Sequence, residues 1–207
     1  RDLHVKRHSF PTRRSSELTY GGGKTHTLIT IRHLVYDPAN LPDVPAVREF
    51  IETIGQTPPQ ARVAALCFDK LDVETGMEVR SPDGAVRRLK QPWSVLAYQI
   101  AGDDGLKLLH ADGQAEERNT PPAENTLTDL LSLPLKEGLG TLVLIDEVLL
   151  YAKVKTRSDP GWLDILTSFF QYLTQAAAKV DRCCIVASLL SSEPKDQADS
   201  LGKRIVS

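Results

Sequence analysis

The stretch Leu142-Val143-Leu144-Ile145-Asp146-Glu147, in which four apolar residues lead into two acids, decides the fold. A short run of branched apolar side chains has the length and composition of a strand that is buried on both faces. Strands of this kind belong to parallel sheets, whose helical connections cover the two faces. The stretch therefore predicts a buried parallel strand that delivers Asp146 and Glu147 to its carboxyl end.

Similar apolar runs alternate with helical patterns along the chain. Two further runs of strand length occupy residues 62–68 and 183–189. Apolar residues recur at helical spacing over residues 24–36, 44–54, 92–100, 126–133 and 162–179. Strands that alternate with helices favour an α/β fold built on a parallel sheet.

Two segments between these elements are polar. Residues 76–91 are rich in turn-forming residues, and no strand or helix is predicted there. Residues 102–125 are rich in Gly, Asp, Pro and Glu, and we predict a polar surface insertion around them.

The composition excludes several classes of protein. The chain has 207 residues, of which 41% are hydrophobic and 25% charged, as expected for one folded domain. No apolar run approaches the roughly 20 residues of a membrane span. The three cysteines form no disulfide framework, so we expect a reducing, cytoplasmic compartment and three small core residues at Cys67, Cys183 and Cys184. The net charge of -2 gives no strongly basic surface for a nucleic acid.

The first 18 residues differ from the rest of the chain. Residues 1–18 carry an excess of basic residues without apolar periodicity, and no apolar core of a signal peptide follows them. They resemble the in-frame translation of a short-read sequencing adapter, with Glu17 as the departure from an expected Asp. A basic tail is the alternative. We interpret residues 1–18 as a non-native segment, and residues 19–207 then hold 20 basic and 25 acidic residues.

A glycine-rich segment opens the first predicted helix. In Gly21-Gly22-Gly23-Lys24-Thr25 the glycines let backbone N–H groups turn around phosphate oxygens, and the helix N-terminus adds unpaired donors. A lysine at this place reaches the β- and γ-phosphates, and a hydroxyl residue binds Mg²⁺. The full pattern has another glycine at the position of Leu18. The alternative is a glycine turn with a capping hydroxyl.

The acid pair Asp146-Glu147 fits the same kind of nucleotide site as the glycine-rich segment. At the end of a buried strand, Asp146 would hold Mg²⁺ and Glu147 would polarise the attacking water. The alternative is two solvated acids at the start of the next helix, where acids are favoured in any case. Because both motifs occur in one chain, we predict that they meet around one Mg²⁺-bound ATP.

Two further residues are candidate nucleotide contacts. His26 follows the phosphate-loop pattern directly, and Ser188 lies at the end of the strand predicted over residues 183–189. A helix residue facing its neighbours and a loop-start serine are the alternatives. The basic residues Lys153, Lys155 and Arg157 are interpreted as a solvated helix face.

These motifs together carry a resemblance to a known family. The chain resembles prokaryotic AAA+-like P-loop ATPases grouped as domain of unknown function 499. The resemblance lies in Gly21-Gly-Gly-Lys-Thr-His-Thr-Leu28, Trp93-Ser-Val-Leu-Ala-Tyr-Gln99, Leu144-Ile-Asp-Glu-Val148 and Val186-Ala-Ser-Leu189. It implies a three-layer P-loop sheet, ATP and Mg²⁺ as cofactors, and ATP hydrolysis in a larger protein, within anti-phage defence.

The resemblance also sets expectations for partners and completeness. Members are encoded beside DNA methyltransferases and helicases, so DNA-modification or helicase proteins are expected partners. A homo-oligomer is a further expectation. The acidic balance of residues 19–207 counts against direct DNA contact by this part. A slow nucleotide-gated switch and a DNA-translocating motor are the alternatives to an ATPase. We expect an incomplete sheet, because residues 1–18 stand where the first, central strand belongs and the downstream part is cut.

Overall fold

The computed structural model describes residues 23–110 and 112–188 as an α/β fold. The strands are β1 (Ala61–Cys67), β2 (Met77–Arg80), β3 (Val86–Leu89), β4 (Gly140–Asp146) and β5 (Cys183–Ala187). The α-helices are α1 (Lys24–Tyr36), α2 (Pro45–Ile54), α3 (Pro92–Leu108), α4 (Glu124–Ser132), α5 (Val148–Ser158) and α6 (Trp162–Lys179).

Three strands form a parallel sheet in the order β1-β4-β5. Cys67 of β1 lies opposite Asp146 of β4, and Ile145 lies opposite Ala187 of β5. The three strands therefore end side by side, and the residues that follow them share one edge of the sheet. The predicted parallel α/β sheet is confirmed.

The two faces of this sheet are covered by different helices. On one face, Val143 and Ile145 belong to the larger core, to which α3, α4, α5 and α6 contribute. On the other face, Leu28 of α1 packs against Leu142 and Leu144. Because apolar side chains alternate between the faces of a fully buried strand, β4 anchors helices on both sides.

Several helices match the periodicity closely. The helices predicted over residues 24–36 and 162–179 have those bounds. Gly23, with φ of 77°, precedes α1 in the left-handed conformation that glycine adopts without strain. In α6, Leu166, Phe169, Phe170 and Leu173 are buried at helical spacing, which is the pattern that predicted the helix.

The region over residues 76–91, for which no strand was predicted, contains an antiparallel hairpin. β2 and β3 pair with Met77 opposite Leu89 and Arg80 opposite Val86. Val79 and Leu89 are buried, whereas Glu78 and Arg88 are exposed and form an ion pair. Each strand has four residues, so the alternation is too short to stand out from a polar loop.

The predicted surface insertion at 102–125 differs from the structure in its first part. Helix α3 continues to Leu108 across a break at Ala101 and Gly102, where the backbone leaves helical geometry. Gly105 and Leu106 are buried, and a Cβ on Gly105 would collide with the carbonyl of Ala97. Glycine is therefore required for this close approach. Residues 112–123 have no helix or strand.

The cysteines are less buried than expected. Cys67 and Cys183 are half-buried, and Cys184 is exposed. They lie on β1 and β5, the two outer strands of the described sheet. All three are free thiols. Within the described ranges, no helix combines the length and hydropathy that crossing a membrane requires.

Candidate functional site at the carboxyl edge of the sheet

A hydrogen bond joins the glycine-rich segment to the acid pair. The Oγ1 atom of Thr25 donates to the Oδ2 atom of Asp146 over 2.8 Å, although the residues are 121 positions apart. Thr25 lies in the first turn of α1, and Asp146 is the last residue of β4. The packing of Leu28 on the sheet positions this first turn. The structure thus brings the two predicted motifs together.

The start of α1 presents backbone donors at this place. Gly23 precedes the helix, and its carbonyl accepts the N–H of Thr27 over 2.9 Å. The N–H groups of the residues between them have no acceptor within the helix, and the helix dipole is positive here. Gly21 and Gly22 lie outside the described residues, as does the segment 1–18.

Asp146 has an oxygen that fits a metal ion. Its side chain is 6% exposed, and its buried Oδ1 atom has no hydrogen-bond partner among residues 23–110 and 112–188. A buried carboxylate oxygen that lacks a donor is costly unless a cation or an ordered water binds it. Neighbouring ligands of an octahedral Mg²⁺ lie about 3 Å apart, which is close to the separation of the Thr25 and Asp146 oxygens. The residues present therefore fit Mg²⁺.

Glu147 combines backbone strain with a perturbed carboxyl group. Its φ of 58° is in the left-handed region, which is uncommon for a residue other than glycine. Partial burial raises the pKa of Glu147, and the charges of Asp146 and Asp69 raise it further, whereas Lys24 lowers it. A strained acid with a raised pKa is typical of functional sites.

Lys24 is a cation of this cluster that acts on Glu147. It is the first residue of α1 and is half-buried, and its charge is close enough to lower the pKa of Glu147. The two predicted catalytic residues, Lys24 and Glu147, therefore lie near each other.

Asp69 is an acid that the sequence analysis missed. It follows β1 after Phe68, whose N–H donates to the carbonyl of Asp146 over 3.0 Å. Burial raises the pKa of Cys67, and the charge of Asp69 raises it further. The available signal was the polar residue directly after a predicted buried strand, a place where parallel sheets gather functional side chains.

Ser188 and His26 are placed differently. Ser188 is 9% exposed, and its N–H donates to the carbonyl of Ile145 over 2.8 Å, so it lies at the same edge as Asp146. His26 is exposed on α1, where its carbonyl accepts the hydroxyl of Thr30. The structure brings Ser188 to the site and leaves the imidazole of His26 at the helix surface.

The fold and site define an α/β protein with a charged cluster at the carboxyl edge of a parallel sheet. The model of the DUF499 N-terminal domain matches residues 15–200, so the chain belongs to this family. The match includes residues 15–18 of the segment interpreted as non-native. No curated protein and no solved structure matches the chain.

Proposed function

We propose that this domain binds ATP with Mg²⁺ at the carboxyl edge of the sheet and hydrolyses it. The observation that carries the proposal is the contact between Thr25 and Asp146, because a hydroxyl and a carboxylate from distant segments meet at a helix N-terminus. The family resemblance extends the proposal to a P-loop fold of the AAA+-like type.

Each residue has a task in this proposal. The backbone at Gly23 and the first turn of α1 bind phosphate oxygens, and Lys24 neutralises their charge. Thr25 and Asp146 hold Mg²⁺, which supplies charge stabilisation when it is bound.

Glu147 acts on the nucleophile. Its carboxylate accepts a hydrogen bond from the attacking water and aligns it with the γ-phosphate. The raised pKa makes this carboxylate a stronger base than an ordinary glutamate. Oriented attack and charge stabilisation are most of what phosphoryl transfer needs from a protein.

The matched substitution of Glu147 tests the proposal. Release of phosphate from Mg²⁺-ATP is measured for the wild type and for Glu147→Gln, together with nucleotide affinity. We expect turnover to be lost while affinity is kept. A variant that turns over as fast as the wild type would contradict the assigned role, and equal affinity with and without Mg²⁺ in both proteins would contradict the metal site.

A further inference from the structure

Cys67 and Asp146 are neighbours at the carboxyl ends of two adjacent strands. In the parallel pairing of β1 with β4, Cys67 lies directly opposite Asp146. Adjacent strands of a sheet are about 4.8 Å apart, and residues that lie opposite each other project from the same face. The backbone alone therefore brings the Cβ atoms of these two residues to about 5 Å from each other.

The packing of the two strands shows which face they share. Ala65 of β1 packs with Leu144 of β4 in the small core under α1. Because side chains alternate along a strand, Cys67 lies on the same face as Ala65, and Asp146 lies on the same face as Leu144. The thiol and the carboxylate are thus both on the face that α1 covers, where the hydroxyl of Thr25 donates to Asp146.

The surroundings of Cys67 agree with this placement. Its thiol is free and half-buried. Burial is the largest cause of the raised pKa of Cys67, and the charges of Asp69 and Asp146 add to it, so the carboxylate of Asp146 is close enough to act on the sulfur. The Oδ1 atom of Asp146 is buried and lacks a hydrogen-bond partner within the described part of the chain. A cation that binds this oxygen therefore has a thiol beside it.

A thiol beside a carboxylate changes which metal ions a site prefers. Mg²⁺ is a hard cation that takes oxygen ligands. Zn²⁺ binds cysteine sulfur at about 2.3 Å and carboxylate oxygen at about 2.1 Å, usually with tetrahedral geometry. In that geometry the sulfur and the oxygen lie about 3.5 Å apart, a separation that side chains on neighbouring Cβ atoms can reach.

We propose that Cys67 is a soft ligand of the metal site at Asp146, which binds Zn²⁺ through the Sγ atom of Cys67 and the Oδ1 atom of Asp146. Water or phosphate oxygens complete the coordination, and the thiol releases its proton to solvent when the ion binds. This inference rests on the metal site of the proposed function and adds a metal preference to it. Zn²⁺ competes with Mg²⁺ for Asp146, because a thiolate favours the softer ion.

Titration with Cd²⁺ alone tests the sulfur ligand, because a cadmium–thiolate bond gives an ultraviolet charge-transfer band. The band is measured for the reduced wild type, Cys67→Ser and the matched control Cys184→Ser. We expect the wild type and Cys184→Ser to show the band, which excess Zn²⁺ removes by displacing Cd²⁺. In Cys67→Ser the band is lost, and Cd²⁺ affinity falls by about tenfold or more. A thermal melt verifies that each variant is folded, and Cys67→Ala is the second variant.

Asp146→Asn tests whether the thiol and the carboxylate share one ion. We expect Cd²⁺ affinity to fall by about tenfold or more in this variant as well. The proposal would be overturned by a wild type without the band, by a band that Zn²⁺ does not remove, by an equal band in Cys67→Ser, or by unchanged affinity in Asp146→Asn. A wild type that hydrolyses Mg²⁺-ATP without binding Cd²⁺ at Cys67 contradicts this inference alone. Cd²⁺ binding at Cys67 without ATP hydrolysis contradicts only the proposed turnover.

Discussion

The two ends of the parallel strands handle charge in opposite ways. At the amino end, Arg62 pairs with Glu137 over 2.6 Å, and Arg182 donates to the carbonyl of Gly138 over 3.1 Å. At the carboxyl end, Asp146, Glu147 and Asp69 lie close together, and Lys24 is the cation that acts on Glu147. The amino end thus pairs Arg62 with one acid, whereas the carboxyl end groups three acids near Lys24 and Lys70.

Folding alone does not account for the arrangement at the carboxyl end. A buried polar atom without a partner and a left-handed residue other than glycine occur at both ends of the described sheet, at Arg62 and Arg182 as well as at Asp146 and Glu147. The grouped acids distinguish the carboxyl end, and they lower stability because like charges repel. Proteins keep such features where function needs them. The contrast between the ends is therefore the structural argument for a site, and the predictions below test it from the largest expected effect to the smallest.

The largest contrast is expected between two glutamates at opposite ends. Glu147→Gln removes the group proposed to orient water, so phosphate release from ATP falls by about 100-fold or more. Glu137→Gln, at the amino end, leaves the rate within about twofold. Steady-state phosphate release measures both variants, and equal losses would remove the distinction between the ends.

The packing beneath the site gives the next contrast. Leu28→Ala removes a side chain that is 6% exposed from the small core between α1 and the sheet. We expect a loss of about 2 kcal/mol in the free energy of unfolding, together with weaker ATP binding, since α1 positions Thr25.

The adjacent residue is the matched control. Ile29 is 46% exposed, so Ile29→Ala is expected to change stability by no more than about 0.5 kcal/mol. Urea unfolding followed by circular dichroism measures both variants. A Leu28→Ala variant as stable as Ile29→Ala would show that α1 is not held by this contact.

The next prediction compares a buried acid, Asp146, with an exposed acid, Asp129, by the effect of Mg²⁺ on ATP affinity. Asp146→Asn removes a proposed metal ligand, so the gain in ATP affinity from Mg²⁺ falls by about tenfold or more. Asp129→Asn changes an exposed acid on α4 and leaves the gain intact. Titration calorimetry with and without Mg²⁺ gives both values. An unchanged gain in Asp146→Asn would exclude this carboxylate as a ligand.

The smallest effect concerns stability and pH. Glu147 has a raised pKa when folded, so it binds its proton more tightly in the folded than in the unfolded state. Its contribution is therefore most favourable below its ordinary pKa of 4.5 and is lost as the pH rises through the raised value. At neutral pH the ionised side chain lowers stability.

The uncharged variant Glu147→Gln measures this loss of stability. We expect Glu147→Gln to melt at a slightly higher temperature than the wild type at pH 7, and the difference to shrink towards pH 4. Melting curves across this range measure it. A difference that does not change with pH would mean that the charge of Glu147 is not the cause.

The sequence predicts the parts of the fold that have long or strongly apolar patterns. The strand at β4 and the helix α6 are clear because every β4 residue is buried and the apolar residues of α6 repeat along one side. The hairpin is too short to carry a pattern. The second part of helix α3 was not predicted, because Gly102 and Gly105 look like turn residues in the sequence. In the structure Gly102 lies at a break in the helix, and Gly105 packs closely against the backbone of Ala97.

The candidate site was also predicted only in part. Motif spacing placed Thr25 and Asp146 at one site, because a glycine-rich segment and an acidic strand end have fixed places in a parallel sheet. Asp69 belongs to no motif, and its role depends on the register between β1 and β4. The strain at Glu147 is likewise a property of the folded backbone alone.

The most direct measurement uses Mn²⁺ as a paramagnetic substitute for Mg²⁺. Nuclear magnetic resonance spectra of the labelled protein are recorded with Mn²⁺ alone and with Mn²⁺ and millimolar ATP. The account predicts that ATP brings strong line broadening to the amides of Thr25, Asp146 and Glu147, while Glu137 at the opposite end stays sharp. Broadening that is centred elsewhere, or that is unchanged by ATP, would contradict the claim that these residues form one nucleotide-linked metal site.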